Sequence, residues 1–256
     1  MKKLMIIMVG ASALFATSCK KNSFEITDRN YPTGQSQLKL VLANITEPAT
    51  SFVANINGVR VSPALGVTSP YPYPGGGYNT GGGSTGDYLL VAPGTNKVEY
   101  FVPIVGTPNV RSKFMEFSVN LAADKRYSLY TADSGAAATS LLTEDSFTPP
   151  KDSGYVSLRV VNMTPNAPAL DFYRNDSLIA ANIAYKGFSD YMTIRSNVGD
   201  TFAIRPAGAP GGYARNATTY YRLAINSSQR VLSILSSGYI GGSANRISRV
   251  SVVLNR

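Results

Sequence analysis

The sequence contains an internal duplication, and this repeat restricts the fold more than any other feature of the sequence. Residues 39–46 (KLVLANIT) align without a gap on residues 157–164 (SLRVVNMT), and the asparagine and the threonine recur at the same places. Corresponding blocks follow in the same order, including the Asp-Tyr pairs at 87–88 and 190–191. Ordered blocks of this kind indicate that one structural unit has been duplicated. The fold must therefore be a small unit that is built twice.

The repeated unit has the residue pattern of β-strands. Leu38, Leu40 and Leu42 alternate with other side chains, and Leu158 and Val160 do the same in the second copy. A period of two predicts strands with one buried face and one face in water. Turn-forming residues separate these runs, and no helical period appears after residue 20. About seven such strands per copy predict an all-β fold, two tandem antiparallel β-sandwiches of the immunoglobulin-like or transthyretin-like kind.

The breaks in this pattern predict the domain boundaries. Residues 37–148 are predicted to form the first sandwich and residues 149–256 the second, after a tether at 19–36. The linker contains Pro149 and Pro150, which cannot sit within a central strand. Because the linker is short and stiff, the two sandwiches are predicted to keep a preferred relative orientation. The final alternating run, which ends at residue 256, is predicted to be an integral strand of the second sandwich.

Residues 1–18 have the organisation of a lipoprotein signal peptide. A basic start (MKK) precedes a short apolar run and a stretch of small residues. The segment Leu14–Cys19 (LFATSC) resembles a lipobox, which the lipoprotein signal peptidase cuts after the cysteine has been acylated. Cys19 is therefore the predicted lipidation site, and its acyl chains are the predicted membrane anchor. Lys20 follows in place of an aspartate, which favours the outer membrane of the cell envelope. Whether the protein faces the periplasm or the cell surface stays open.

Composition argues against most forms of catalysis and most metal sites. The chain has no histidine, and its one cysteine is the predicted anchor. Ser/His and Cys/His mechanisms, disulfides and zinc sites therefore lack their residues, and we expect no cofactor, no metal and no catalytic residue. The net charge of +9 is spread along predicted strands, at positions such as Lys39 and Arg159, without a Lys/Arg block longer than two. That dispersion predicts a solvated surface and no nucleic-acid interface.

Two glycine-rich segments carry the candidate ligand contacts. Residues 69–86 of the first copy form an insertion rich in Gly, Pro and Tyr, and the second copy has nothing of this length at the matching place. Tyrosines on such a loop can stack on sugar rings or on the prolines of a partner, although a tolerated flexible insertion is the simpler interpretation of the loop. Residues 206–216 are either a second contact patch or a plain hairpin loop. The candidate contacts are Tyr71, Tyr73, Tyr78, Tyr213 and Arg215.

Three polar residues are interpreted as structural. Asp171 lies within an apolar strand of the second copy, where a buried carboxylate needs a partner. We expect it to accept hydrogen bonds from turn amides near Asn166. Asn44 and Asn162 occupy equivalent positions at the ends of strands, and we expect both to cap the following turn through their side chains.

The second copy resembles a known bacterial family. Residues 156–173 (VSLRVVNMTPNAPALDFY) resemble the opening of family 4397 of domains of unknown function, an apolar strand followed by a Pro-rich turn and a second strand. Residues 178–206 resemble its next hairpins, and residues 237–242 with the closing strand resemble its end. The first copy matches in outline, since residues 47–50 (EPAT) replace the turn and Val53 replaces the aspartate of the second strand. The resemblance implies a β-sandwich module of secreted and envelope-anchored proteins, with no established reaction or ligand.

These observations favour a non-enzymatic, lipid-anchored protein of the cell envelope that acts by binding or scaffolding. Its expected partners are the membrane, reached through Cys19, and a glycan or an envelope protein. One alternative is a glycan-binding surface module that uses the tyrosines of the 69–86 loop. A second alternative is a hydrolase that works with carboxylates alone, which would need two carboxyl groups across one cleft.

Overall fold

The computed structural model describes residues 32–44, 52–62, 88–104, 111–132, 137–197, 199–209, 220–222, 228–242 and 248–256. These ranges contain sixteen β-strands, β1 to β16 in chain order, and no helix. The predicted all-β fold class is therefore confirmed. Residues 33–256 form one compact unit.

The first copy consists of two four-stranded sheets. Its outer sheet has the strand order β3-β2-β5-β6, and its inner sheet has the order β4-β1-β7-β8. Leucine, valine and aromatic side chains of the two sheets pack together as one core, which includes Phe52, Val98, Tyr100 and Leu129. The strands are β1 (Ser36–Asn44), β2 (Val53–Ile56), β3 (Val59–Arg60), β4 (Leu89–Val91), β5 (Gly94–Pro103), β6 (Arg111–Leu121), β7 (Arg126–Ala132) and β8 (Thr139–Glu144).

The second copy repeats this arrangement. Its inner sheet has the order β12-β9-β15-β16, and its outer sheet has the order β11-β10-β13-β14. A second core, which includes Leu158, Phe172, Phe202 and Ile234, lies between them. The strands are β9 (Tyr155–Asn162), β10 (Leu170–Arg174), β11 (Ser177–Ile183), β12 (Met192–Arg195), β13 (Thr201–Pro206), β14 (Tyr220–Arg222), β15 (Val231–Ser237) and β16 (Arg249–Leu254). The predicted terminal strand is confirmed as β16, which pairs antiparallel with β15.

Each inner sheet contains one parallel pair among otherwise antiparallel pairings. Strand β1 runs parallel to β7, with Gln37 opposite Arg126, and β9 runs parallel to β15, with Ser157 opposite Val231. Most of the strands between β1 and β7, and between β9 and β15, belong to the outer sheet. The chain therefore crosses to the outer sheet and comes back, and the returning strand runs in the same direction as the first. The same departure from an all-antiparallel sheet in both copies is strong structural support for the duplication.

The two inner sheets also pack against each other. Alternate residues of β1, such as Leu40, face the first core, whereas the residues between them face a third apolar cluster. This third cluster contains residues of both copies: Val41, Ala43, Tyr130, Ala132, Val161, Met163, Leu235 and Val253. The layers therefore follow the order outer sheet, inner sheet, inner sheet, outer sheet.

This layering corrects the prediction that each strand has one face in water. Lys39 and Arg159, which the sequence placed on a solvated surface, are each 1% exposed. Polar and apolar side chains do lie on opposite faces of these strands, but on the inner strands both faces are buried inside the protein. A charged residue between two apolar ones marks a polar face without showing whether water or another protein layer covers it.

The linker between the copies packs against the body. Residues 145–150 contain no strand, in agreement with the expectation from Pro149 and Pro150. The ring of Phe147 meets Tyr191 edge-on at 5.5 Å, and the guanidinium of Arg126 lies 4.6 Å from the centre of the Phe147 ring. These contacts attach the linker to both copies. In the part of the chain described above, no helix has the length and apolar character needed to cross a membrane.

Candidate functional site

A cluster of buried polar side chains lies between the two inner sheets, beside the third apolar cluster. We call it the junction network. It contains three charged groups, Lys39 on β1, Arg159 on β9 and Asp145 just after β8. Neighbouring strands β7 and β15 supply hydroxyl groups, and Asn255 follows β16. Because side chains alternate along a strand, the polar residues at these positions share the face that meets the other copy.

Arg159 uses all three of its nitrogens in this network. Its Nη2 donates to a carboxylate oxygen of Asp145, and the pair is almost completely buried. The remaining acceptors belong to both copies. Nε donates to Ser233 Oγ at 3.1 Å, and Nη1 donates to the Glu144 carbonyl oxygen at 3.2 Å. Nη2 also lies 2.8 Å from Thr143 Oγ1 and 3.2 Å from the Tyr130 hydroxyl. A buried guanidinium with an ionised partner and this many acceptors is well satisfied.

Asp145 is satisfied from its other side. Its Oδ2 accepts hydrogen bonds from the Tyr88 hydroxyl and from Ser128 Oγ, each at 2.6 Å. The Asn255 amide nitrogen lies 3.4 Å from the same oxygen and 3.3 Å from the Tyr88 hydroxyl. Asp145 therefore joins residues of the first copy to residues of the second.

The two copies exchange equivalent contacts across the junction. Lys39 Nζ donates to the carbonyl oxygen of Leu254, the last residue of β16, and Arg159 Nη1 donates to that of Glu144, the last residue of β8. Each cation thus comes from the first strand of its own copy and reaches the end of the closing strand of the other copy. This reciprocity is the arrangement found where two identical subunits meet about a twofold axis.

The hydroxyl and aromatic partners follow the same pseudo-symmetry. Ser233, opposite Arg159 in the sheet, donates to Asn255 at 2.8 Å, just as Ser128 donates to Asp145. Lys39 Nζ lies 4.5 Å from the centre of the Tyr88 ring. The guanidinium carbon of Arg159 likewise lies 4.8 Å from the centre of the Tyr191 ring. The two tyrosines are the ones that the sequence repeat aligned.

The surroundings shift the pKa values of three groups in or beside this network, Arg159, Tyr88 and Tyr191. Burial by itself lowers the pKa of Arg159, but Tyr130, Asp145 and Tyr191 raise it by more, so its pKa lies above the ordinary value. Burial and the neighbouring Asp145 raise the pKa of Tyr88 well above its ordinary value. Burial also raises the pKa of Tyr191. The guanidinium therefore stays charged and the phenols stay neutral at physiological pH.

These raised pKa values predict a loss of stability at alkaline pH. Above about pH 10 the tyrosines of the unfolded chain ionise, while Tyr88 and Tyr191 keep their protons in the folded protein. The unfolded state then binds fewer protons, so the free energy of unfolding falls as pH rises, by up to about 1.4 kcal/mol per pH unit for each such group. Urea unfolding followed by circular dichroism over this range measures the slope.

The matched variants are Tyr88→Phe and Tyr155→Phe. The first removes a buried phenol and is expected to make the alkaline slope shallower, although it lowers stability at neutral pH through the lost bond to Asp145. The second removes the phenol of Tyr155, which is 40% exposed, and serves as the control for the substitution itself. Equal slopes in wild type and Tyr88→Phe would contradict the assignment of the alkaline loss of stability to the buried phenol of Tyr88.

The comparison with protein families agrees with this architecture. The model described as "Domain of unknown function (DUF4397)" matches residues 36–173 and residues 156–236. The first match runs from the start of β1 past the linker into β10, and the second runs from β9 into β15, so the two overlap at residues 156–173. The chain belongs to the DUF4397 family. No curated protein matches it.

The resemblance stated for the second copy therefore holds, and DUF4397 matches also cover the divergent first copy. The description of the family names no function. Among the described residues, no group of three or more His, Cys, Asp or Glu side chains is placed to hold a metal ion.

The candidate residues from the sequence lie outside the described residues of this DUF4397 protein. This applies to the predicted lipidation site and to all five candidate ligand contacts. The site residues concerned are Cys19, Tyr71, Tyr73, Tyr78, Tyr213 and Arg215.

Asp171 has the expected structural role with different partners. Its carboxylate accepts hydrogen bonds from the backbone amides of Asn182, at 2.7 Å, and Gly208, at 3.0 Å. The prediction of partners near Asn166 was wrong, because Asp171 lies on the outward face of β10, between the neighbouring strands β11 and β13. Asn166 instead exchanges hydrogen bonds with the backbone of Ile240.

Asn162 caps its turn as predicted. Its Oδ1 accepts hydrogen bonds from the Thr164 amide and from Ser236 Oγ, both at 2.9 Å, and its Nδ2 donates to the Ile183 carbonyl oxygen at 2.8 Å. The side chain of Asn44 lies outside the described residues. Sequence reasoning overlooked Asp145, Tyr88 and Asn255 as members of one network. The alignment of Tyr88 with Tyr191 was the one available signal.

Proposed function

We propose that this DUF4397 protein is a non-enzymatic, lipid-anchored protein of the cell envelope that presents two sandwiches as one rigid body for binding or scaffolding. The junction network carries this proposal. Arg159 and Asp145 bond to each other and to hydroxyl groups of both copies, in a layer without access to solvent. A buried pair of this kind is a poor catalyst for an external substrate, but it can restrict two packed layers to one register.

A fixed relative orientation is useful to a binding or scaffolding protein. A partner that contacts both sandwiches then does not have to immobilise them on binding, so less conformational entropy is lost in forming the complex. The third apolar cluster extends the same contact with side chains of both copies, including Val41, Val161 and Val253. The contact is thus apolar at one part and ionic at another, which specifies orientation more sharply than an apolar contact alone.

The sequence supports the anchor. Cys19 follows a basic and apolar leader and closes the lipobox-like segment LFATSC. Acyl chains on this residue would hold the body at a membrane, and two or more chains are needed for stable attachment. Lys20 supports the outer membrane as the destination.

The anchor is tested by growing cells that express the full chain with an alkyne-bearing fatty acid. Wild type is expected to take up the label and to sediment with membranes. Cys19→Ala is expected to lose both properties, and Ser18→Ala, which retains the cysteine, serves as the matched control. Because the chain has one cysteine, a labelled Cys19→Ala protein or an unlabelled wild type would refute the proposed attachment.

A further inference from the structure

The four central strands of the two inner sheets all begin at one end of the molecule. Parallel pairing places the starts of β1 and β7 together and the starts of β9 and β15 together. Arg159 and Lys39 join the two pairs at one level, and the third apolar cluster joins residues that follow that level in both copies, such as Ala43 and Met163. Both pairs therefore start at the same end. We call this the tether end, because Thr33, the first residue of the compact unit, lies there: Gly34 donates to Asp124, just before β7.

Basic side chains collect at the tether end. Lys125 and Arg126 lie at the start of β7, Arg230 just before β15, and Lys151 in the linker, where its carbonyl oxygen accepts a hydrogen bond from Gln229. Arg195 is opposite Tyr155, the first residue of β9. The side chains of Lys125, Lys151 and Arg195 are exposed. These residues are far apart in the sequence, and only the packing of the two copies brings them together.

The acidic side chains of the same end do not balance this charge. At the starts of the four central strands and in the linker the exposed ones are Asp124, Glu144 and Asp152, while Asp145 is buried in its pair with Arg159. Asp124 accepts a hydrogen bond from the Gly34 amide, and Glu144 pairs with Lys125 at 2.7 Å. The outer face of the first copy differs, because there Lys97 pairs with Glu116 and Lys113 lies between Glu116 and Glu99. The tether end thus carries five basic against three exposed acidic side chains, whereas this outer face is balanced.

An exposed tyrosine accompanies these cations. The side chain of Tyr155 is 40% exposed, and its backbone pairs with that of Arg195. Tyrosine is enriched at the boundary between a bilayer and water, since its ring favours the apolar side and its hydroxyl favours the headgroups. A basic surface with an exposed tyrosine suits the headgroup region of an anionic bilayer.

We propose that the tether end is a docking surface for anionic phospholipid, so that the body lies with this end on the membrane that holds its anchor. The orientation rests on the proposed function, because the anchor determines which end is near a membrane. Thirteen residues, 20–32, separate Cys19 from Thr33, and a chain of that length reaches at most about 50 Å. Attraction to charged headgroups acts within a Debye length of about 8 Å at physiological ionic strength. The anchor thus keeps the surface within about 50 Å of the membrane, so that encounters are frequent, and the cations act on close approach.

The test uses residues 33–256, the compact unit with its own three apolar clusters, without tether or lipid. The probe is vesicles of phosphatidylcholine with an equal part of phosphatidylglycerol, compared with vesicles of phosphatidylcholine alone, in a sedimentation assay at low salt. We expect binding to the anionic vesicles only. Raising the ionic strength to about 1 M, where the Debye length is about 3 Å, should abolish it.

Two triple variants separate a local surface from net charge. Lys125→Gln/Lys151→Gln/Arg195→Gln removes three exposed cations of the tether end, and each contributes about fivefold to binding of an anionic surface, so the partition constant should fall roughly a hundredfold. Lys113→Gln/Lys186→Gln/Arg205→Gln removes the same charge elsewhere. Lys186 lies at the opposite end, where it contacts Asn162 and Thr139. Lys113 and Arg205 lie on the outer sheets, where they pair with Glu116 and Asp176. This control is expected to bind within about threefold of wild type.

Three outcomes of the vesicle assay decide whether the tether end is a docking surface. Loss of binding in the first triple variant alone supports the docking surface. Equal loss in both variants overturns it, because binding would then follow net charge. Absence of binding by wild type also overturns it. Labelling of Cys19 is measured independently, so a failed vesicle assay with a labelled anchor rejects the docking surface and leaves the anchored protein intact.

Discussion

Asp145→Ala is expected to lower the free energy of unfolding of this DUF4397 protein by about 3–5 kcal/mol. The substitution leaves the guanidinium of Arg159, which is 1% exposed, without its ionised partner in a layer that water does not reach. It also removes the acceptor of the Tyr88 and Ser128 hydroxyls. For a protein of this size the melting temperature should fall by about 6–20 °C. Thermal and urea unfolding followed by circular dichroism measure both quantities.

Glu144→Ala is the matched control, because it removes the neighbouring carboxylate from an ion pair at the surface. Glu144 pairs with Lys125 through exposed side chains, and such pairs contribute at most about 1 kcal/mol. Asp145→Ala combined with Arg159→Met removes both buried charges, so it should recover much of the loss. If Asp145→Ala and Glu144→Ala were equally mild, the junction network would not be the buried, coupled system described above.

Asp145→Ala also tests the proposal that the two copies form one rigid body. Spin labels at Ser118→Cys and Ser177→Cys, in a Cys19→Ser background, report the distance between the first and second copies. We expect a narrow distribution in the parent and a broader one when Asp145→Ala is added. A distribution that is equally broad in both proteins would argue against a fixed orientation.

Deletion of residues 248–256 is expected to abolish cooperative unfolding of the second copy. The deleted segment contains β16, whose Val250, Val252 and Leu254 belong to the second core and whose Val253 belongs to the third apolar cluster. Truncation of one such side chain typically costs about 2–5 kcal/mol, and the loss of several exceeds the total stability of about 5–15 kcal/mol that a domain has. The deletion also leaves β15 without its antiparallel partner.

A deletion of equal length in the glycine-rich insertion is the control. Residues 75–83 (GGGYNTGGG) have no counterpart in the second copy, so their removal is expected to leave the melting transition cooperative. Differential scanning calorimetry compares the two deletions with the full chain. A cooperative transition of unchanged enthalpy after removal of residues 248–256 would contradict the integral role of β16.

Several features of the fold could be predicted because they depend on local patterns. The alternation at Leu38, Leu40 and Leu42 identified β1, and the repeated block located β9 as its equivalent. Turn chemistry identified Asn162 as a cap. Each of these inferences uses residues close together in the chain, whose geometry is determined by strand period and turn type.

The partners of buried polar groups could not be predicted in the same way. Asp171 was recognised as needing a partner, but the partners are the amides of Asn182 on β11 and of Gly208 in the turn after β13. Strand order decides which backbone groups lie beside a carboxylate, and strand order is a property of the assembled sheet. The cations of the tether end, including Lys125, Lys151 and Arg195, come together for the same reason.

By itself the sequence determined that this protein is all-β, that its unit is duplicated and that its last strand belongs to the second copy. Only the tertiary structure decided that Lys39 and Arg159 lie inside the protein, where Arg159 pairs with Asp145. The physical reason is that a period of two separates a polar face from an apolar face of each strand. It carries no information on whether the polar face meets water or the matching polar face of another sheet.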